Sequence, residues 1–564
     1  MRTLLIFTFL FTYGVNSTTA STQNVKIDNS IVIGYKHSDN IIAYTGIPYA
    51  QAPINNLRFE PPQKPQYNDV INDKSKENVM CAQVSVFNGP PEISGDEDCL
   101  YLNVYVPKTV KNDDLTKLPV MIYIHGGGFA WGTGIMFKPD YLLRNDNVIL
   151  VTLNYRLGPL GFLAAGSEGH EIYANNGMKD QAMAIQWVYD NIQHFGGDNT
   201  KITLFGNSAG AASTHLHLFS PKTKGLFHAA ILESGAAVCH WAVHTFKNMV
   251  NLSTQLSRLA NCPVFPTEDM IKCLKDKSLD EILFSAKFIV FDVDPMVLFT
   301  PAVEPAHKDA FLIDFPENLL KNGDFYDVPI MQGTTTDEGA IRTSLFAKHP
   351  ETIEKCDKYF HELYRPTNNK HHYTMEQITA VKNHYFGNGM DLKSLTAYWS
   401  DEYFRCTDDT VSLHHKHSKS SIYSFFFNYK GALTFSKYFA GDENVDLGIC
   451  HMDELFYLFP LEYVLYNFPN ADKAFTDTDK KMSLFMTKLW THFARHKNFD
   501  DFINNDGIKL DWKPVHSTHN EYLIIDKDFT FKMGKDLFYE ANQFWNELEN
   551  KNNNNYITNN KDEL

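Results

Sequence analysis

The sequence predicts an α/β sandwich built around a mainly parallel sheet. Three observations carry that prediction. Strand-like apolar runs at Leu100 to Val106, Val120 to Ile124, Val148 to Leu153 and Ile202 to Phe205 alternate with other structure. Met178 to Phe195 reads as an amphipathic helix, with Ile185, Val188, Ile192 and Phe195 on one face. The stretch Phe195 to Gly210 turns a strand directly into a small-residue helix through Gly206-Asn207-Ser208-Ala209-Gly210.

Composition agrees with a large packed core: 43% of the 564 residues are hydrophobic and 14% aromatic. The formal net charge of -16 argues against nucleic acid or an anionic membrane surface as a partner.

In chain order, residues 1–20 carry one arginine, an apolar run from Leu4 to Tyr13 and then small polar residues, the layout of a secretory signal peptide. That run is too short to span a bilayer, and the rest of the sequence offers no spanning stretch, so the mature chain is expected to lack a transmembrane segment. Ile31 to Ile33 and Ile41 to Tyr44 read as an N-terminal hairpin. Further strands are expected at Ala229 to Leu232, Val328 to Met331 and Ile422 to Phe427, with helical insertions over 245–285 and 345–400. No internal repeat or linker interrupts 21–548, which is read as one catalytic domain. Residues 549–564 form an Asn-rich tail ending Lys561-Asp562-Glu563-Leu564, an address for the retention receptor of the endoplasmic reticulum lumen.

Eight cysteines in a secretory chain imply disulfides. Cys81 with Cys99, and Cys262 with Cys273, are short closures that a local bridge would pin, although spacing alone does not fix connectivity. Cys239, Cys356, Cys406 and Cys450 have no evident partner. Asn251-Leu252-Ser253 is a glycosylation sequon, and Asn16-Ser17-Thr18 is another only if cleavage leaves it in place.

The chemistry gathers around Ser208. A serine at a sharp strand-to-helix turn sits under strain, and the chain passes so close two residues to either side that glycine is required there, as at Gly206 and Gly210. Serine is a poor nucleophile until a base takes its proton and a third group orients that base. Downstream, Gly333-Thr334-Thr335-Thr336-Asp337-Glu338-Gly339 places two competing carboxylates behind a strand, and Gly448-Ile449-Cys450-His451 offers a candidate base, although among 23 histidines position alone does not select it. Upstream, His125-Gly126-Gly127-Gly128-Phe129 follows the strand at 120–124. Its glycines leave amides unobstructed, so Gly127, Gly128 and Ala209 form a candidate oxyanion hole. The rival phosphate-loop reading lacks the Lys and Ser/Thr that should follow.

These motifs, together with GIPYAQAPINNLRFEPP (46–62), EDCLYLNVYVP (97–107), NYRLGPLGF (154–162), GTTTDEG (333–339) and GICHMDEL (448–455), make the chain resemble the type-B carboxylesterases over roughly residues 30–545. The resemblance implies the α/β-hydrolase fold, with Ser208 as nucleophile, Glu338 rather than Asp337 as the acid, and His451 as the base. It also implies a hydroxyl of Ser234 near the catalytic histidine, Trp241 as a wall of the acyl pocket, and the bridges Cys81–Cys99 and Cys262–Cys273. The third bridge of cholinesterases is expected to be missing, since no cysteine follows Cys450 to pair with Cys406.

The sequence also departs from the pattern of the family it resembles. Asn207 stands before the nucleophile where many members carry glutamate, which removes a negative charge near the site, and Ala211 replaces a common glycine. The 82–98 loop has no tryptophan to hold a quaternary ammonium, which disfavours choline esters. The expected activity is serine-dependent hydrolysis of small-molecule carboxylic esters, without metal or organic cofactor. Phe129 and Trp241 are expected to line an apolar gorge that takes uncharged substrates. A dedicated hormone or terpenoid esterase, and a binding protein on the same scaffold, are the alternatives.

Overall fold

The computed structural model describes residues 23–548 except 85–91, 110–116, 145–147, 168–170, 288, 290–296, 364–372, 466–474, 505–506, 516–519, 528 and 530–531. The proposed signal peptide, the Asn16 sequon and the 549–564 tail lie outside these residues.

An 11-stranded sheet forms the centre. Its strands are β1 (Tyr35–Lys36), β2 (Ile41–Pro48), β3 (Tyr101–Pro107), β4 (Leu118–Ile124), β5 (Ile149–Leu153), β6 (Gly197–Asn207), β7 (Ala229–Glu233), β8 (Ile330–Thr335), β9 (Ile422–Phe427), β10 (Glu521–Ile525) and β11 (Lys532–Lys535). Their spatial order is β11-β10-β9-β8-β7-β6-β4-β5-β3-β2-β1. From β5 through β10 the strands run parallel. Antiparallel strands complete both edges. This mostly parallel sheet with helices is the α/β-hydrolase architecture expected from the sequence.

Burial on both faces explains why the central strands read as continuous apolar runs. In β4, Val120, Ile122 and Ile124 enter the hydrophobic core on one side, while Met121 and Tyr123 enter the core on the other. The chain leaves β4 for β5 on one flank and later returns to the other flank as β6. Connections diverging from neighbouring parallel strands open a crevice at their C-terminal ends, where ligands bind in such sheets. The glycine loop 125–128 and the Ser208 turn both emerge there.

Buried ion pairs fix the shared motifs to the sheet's surroundings. Arg156 meets both carboxylate oxygens of Asp180, at 2.8 and 2.7 Å. Arg58 pairs with Glu97 at 2.5 Å and also donates to carbonyls at 274–277. Each guanidinium is satisfied by several acceptors at once, which a buried cation requires.

The N-terminal expectation is corrected. Ser30–Val32 pairs with Val25–Ile27 in a separate two-stranded sheet, whereas β2 joins the central sheet beside β3. Ile31 is 40% exposed while Ile41 through Ile47 are buried, so the two segments satisfy different surfaces. β10 and the edge strand β11 add to the strands expected from the sequence; β11 (KMGK) is mostly exposed, so its residues carry no apolar pattern. Helix α1 (Asn176–Asn191) occupies the expected amphipathic stretch, and the expected insertions are helical, including Phe246–Leu259, Thr267–Asp276, Met375–Phe386 and α3 (Leu392–Phe404). Among the described residues no helix is long and apolar enough to cross a membrane.

Candidate active site

Ser208 occupies the turn between β6 and helix α2 (Ala209–Leu216), with φ 61° and ψ -126°. A non-glycine residue in that region is strained and persists only where its surroundings enforce it. The enforcement is visible at the flanking glycines. A Cβ on Gly206 would stand 2.4 Å from the Ile124 carbonyl oxygen, and one on Gly210 would stand 2.0 Å from it. The Ser208 N–H donates to the Glu233 carbonyl at 2.8 Å, which ties the turn to β7. Ala209 is the first residue of α2, so its amide has no acceptor within the helix. Gly127 and Gly128 adopt φ 107° and 58° in the loop leaving β4. A Cβ on Gly126 would come within 3.0 Å of the Ser208 Cβ, so this loop lies directly against the serine turn. Gly128 and Ser208 line the same cavity.

The carboxylate and histidine meet across two loops. His451 Nδ1 lies 2.5 Å from Glu338 Oε2, with both side chains buried. The other carboxylate oxygen of Glu338 accepts from the Thr335 N–H at 2.7 Å and the Ser234 hydroxyl at 2.5 Å. Ser234 therefore reaches the histidine through Glu338. Asp337 takes a different part: its Oδ2 accepts from Ile449 N–H at 2.9 Å, and its own N–H donates to Ile449 O at 3.0 Å, clamping the loop that carries His451. Met452, at φ 76°, turns the chain directly after the histidine. His451 Nε2 has no hydrogen-bond partner among the described residues, and His451 lines the cavity with Ser208.

Apolar and aromatic side chains form the rest of the cavity: Trp241, Val297, Ile341, Trp399, Tyr403 and Phe404, joined by Arg342. The Phe404 ring lies 4.8 Å from that of His451. Trp241 lies in the cavity wall and donates its indole N–H to the Tyr403 carbonyl at 2.9 Å. Phe129, expected beside it, is fully buried and packs between Phe162 and Trp241 at 5.4 and 6.4 Å, outside the lining set. The Arg342 guanidinium stacks over Trp399 and Tyr403 at 4.6 and 5.0 Å. Arg342 stands on the helix Ala340–Phe346, just past the GTTTDEG motif, and Trp399, Tyr403 and Phe404 on the helix Leu392–Phe404; none of the four belongs to a motif, so nothing marked them in advance.

A disulfide explains how that wall is held. Cys239 and Cys406 are bridged, as are Cys81–Cys99 and Cys262–Cys273. The expectation that Cys406 lacks a partner is thus overturned: it pairs backwards along the chain, and the bond fastens the end of the 392–404 helix to the loop of Trp241. Cys450 and Cys356 are buried thiols; burial pushes both up from the ordinary thiol value, as suits packed groups. The Asn251 side chain stands exposed on the helix Phe246–Leu259.

Beneath Ser208, Asn207 donates from Nδ2 to Glu454 Oε1 at 2.6 Å, and Trp490 donates to Glu233 Oε1 at 2.7 Å. Burial pushes Glu233 up to about 8. Burial, followed by the charges of Glu233 and Glu338, drives Glu454 well above the ordinary carboxyl range. A glutamate at 207 would add another acid to this crowded floor, whereas the amide supplies a donor. His125 stacks on Tyr155 at 4.5 Å, and burial lowers it to about 4, so a neutral ring supports the glycine loop.

The family model described as "Carboxylesterase family" matches residues 21–545. The chain is 34% identical over 544 residues to juvenile hormone esterase of Tribolium castaneum, covering 87% of this chain and 88% of that one. It is 32% identical over 494 residues to esterase E4 of Myzus persicae, covering 84% and 86%. It is 29% identical over 539 residues to acylcarnitine hydrolase of Mus musculus, covering 93% and 90%. The strained serine turn, the buried carboxylate–histidine pair and these likenesses agree: the chain belongs to the carboxylesterase family and is a hydrolase of carboxylic esters.

Proposed function

We propose that Ser208, His451 and Glu338 carry the hydrolysis through an acyl-enzyme, with broad action on uncharged hydrophobic esters. His451 takes the Ser208 proton as the hydroxyl attacks the ester carbonyl. The amides of Gly127, Gly128 and Ala209 receive the oxyanion. His451 then protonates the departing alcohol and activates the water that releases the acid, while ionised Glu338 holds the imidazole. The observation that carries this reading is the buried His451 Nδ1–Glu338 Oε2 contact of 2.5 Å, set in the cavity that the strained Ser208 also lines. The aromatic lining supports apolar substrates. None of these steps calls on a metal or organic cofactor.

The likeness to a juvenile hormone esterase favours a second reading, a dedicated hormone esterase. The acylcarnitine hydrolase and esterase E4 likenesses are of similar strength and favour breadth. We further propose that residues 21–548 act as one catalytic domain, that Asn251 is glycosylated, and that the C-terminal tetrapeptide holds the enzyme in the endoplasmic reticulum lumen through its retention receptor.

The test is reaction of the purified protein with a fluorophosphonate, followed by peptide mapping and assay on a simple aryl acetate. Stoichiometric labelling of Ser208 with loss of turnover is expected. Absence of labelling in folded protein would overturn the assignment and favour the binding-protein alternative.

A further inference from the structure

Helix α4 (Asp477–His496) ends with His492 and His496 four residues apart, on one face of its last turn. Their rings lie parallel, with centroids 4.3 Å apart and an interplanar angle of 22°. Lys497, at φ 61°, stops the helix and turns the chain back. Phe499 and Phe502, both fully buried, then pack against the His492 ring at 5.8 and 5.1 Å. Between them Asp501 is returned to the helix end, with Oδ1 3.4 Å from His492 Nε2. One ligand atom from each of His492, His496 and Asp501 lies within 4.8 Å of the others.

The hydrogen bonding of His492 gives this cluster a direction. Its ring bonds to the Asn498 backbone, which leaves Nε2 buried with no hydrogen-bond partner among the described residues. Asp501 is close to Nε2 but does not meet it in hydrogen-bond geometry. An imidazole fixed through one nitrogen by a backbone carbonyl, with the other nitrogen presented, is the arrangement that metal-ligating histidines adopt. Ligand atoms about 2.0–2.2 Å from a tetrahedral ion stand roughly 3.4 Å apart, which is the His492–Asp501 separation. His496 and Asp501 are exposed, so their rotation can close the remaining distance and water can complete the shell.

We propose that His492, His496 and Asp501 bind one divalent transition-metal ion of the zinc class at the C-terminal end of α4, away from the ester-hydrolysing cavity. Two imidazoles with one carboxylate suit zinc, nickel or copper and not magnesium or calcium, which prefer all-oxygen shells. The ion serves the fold, not the ester chemistry. It fastens the 497–502 loop to α4, the helix whose Trp490 supports Glu233 beneath the nucleophile, and it adds stability by binding only the folded chain.

The experiment uses the full chain, without an affinity tag and stripped with EDTA. Calorimetric titration with ZnCl2 is read beside the visible spectrum of the Co2+-loaded protein. One Zn2+ per chain, a four-coordinate Co2+ band and a zinc-dependent rise in Tm are expected, with no such response to Mg2+. His496→Gln and Asp501→Asn alter exposed side chains and should melt like the parent in EDTA, yet each should weaken Zn2+ binding by about 10-fold or more. A parent that takes up no Zn2+, or variants that bind it as tightly as the parent, would overturn the proposal. Because the readouts are binding and stability, they are independent of whether Ser208 turns over an ester.

Discussion

Asp337 and Glu338 are adjacent carboxylates behind the same strand, yet they face different tasks. Glu338 contacts His451 while Asp337 clamps the loop backbone at Ile449. Glu338→Gln should therefore lower kcat by about 10⁴, the scale seen when an orienting carboxylate is neutralised. Asp337→Asn keeps an acceptor for Ile449 and should cost far less. Equal losses in side-by-side ester kinetics would reassign the acid.

Glu233 gives a second prediction at this scale. Its carboxyl is raised from the ordinary 4.5 to about 8 by burial, so between those values the folded chain keeps a proton that the unfolded chain has released. Stability from this group is full below about pH 4.5 and is lost as pH rises towards 8. Glu233→Gln, which retains an acceptor for Trp490, should lessen the fall in Tm between pH 5 and 8, while Glu454 and Asp453, raised by burial as well, keep part of it; an unchanged slope would refute the assignment. Ser208, Gly206 and Gly210 were legible in the sequence because close backbone approach leaves few residue choices. The partition between Asp337 and Glu338 was not, since adjacent carboxylates share every local property and the resemblance alone favoured one.

Among the elements, the parallel strands announced themselves because burial on both faces demands unbroken apolar runs, as in β4. The edge strand β11 and the N-terminal pairing were hidden, because exposed edges impose little on side-chain choice. The cavity wall is also an element-level property. Cys239–Cys406 closes a sequence separation of 167, while Tyr403 and Phe404 hang on the helix end it fastens. Replacing both cysteines by alanine should destabilise the fold by about 2–5 kcal/mol, as loss of a native disulfide commonly does. It should also raise KM more than it lowers kcat, since the wall moves while Glu338 and His451 keep their contact. Denaturant unfolding and ester kinetics measure the two effects, and a selective fall in kcat would show that the wall is not what the bond secures.

The whole molecule sets a catalytic floor beneath an aromatic roof. The floor is made by the loops that follow β4, β6, β7 and β8 together with the His451 loop, in the segments that resemble the family; the roof comes from the helix Ala340–Phe346, which carries Arg342, and the helix Leu392–Phe404, which carries Trp399, Tyr403 and Phe404. Deleting Lys561 to Leu564 should send the expressed protein into the medium, and continued retention would show that the tail does not hold it. By itself the sequence determined the sheet class, the serine turn and the glycine loop, and the motifs around them carried the resemblance that implied the two short disulfides and the ester chemistry. Each of these rests on neighbours close in the chain or on motifs whose backbone geometry restricts composition. Only the tertiary structure decided that Cys406 reaches back to Cys239, that Phe129 packs behind Trp241 instead of lining the cavity, that Asn207 serves Glu454, and that Asp501 returns to His492 and His496. Such contacts join residues whose local sequence is compatible with many partners, and the choice among them is made by packing across the sheet.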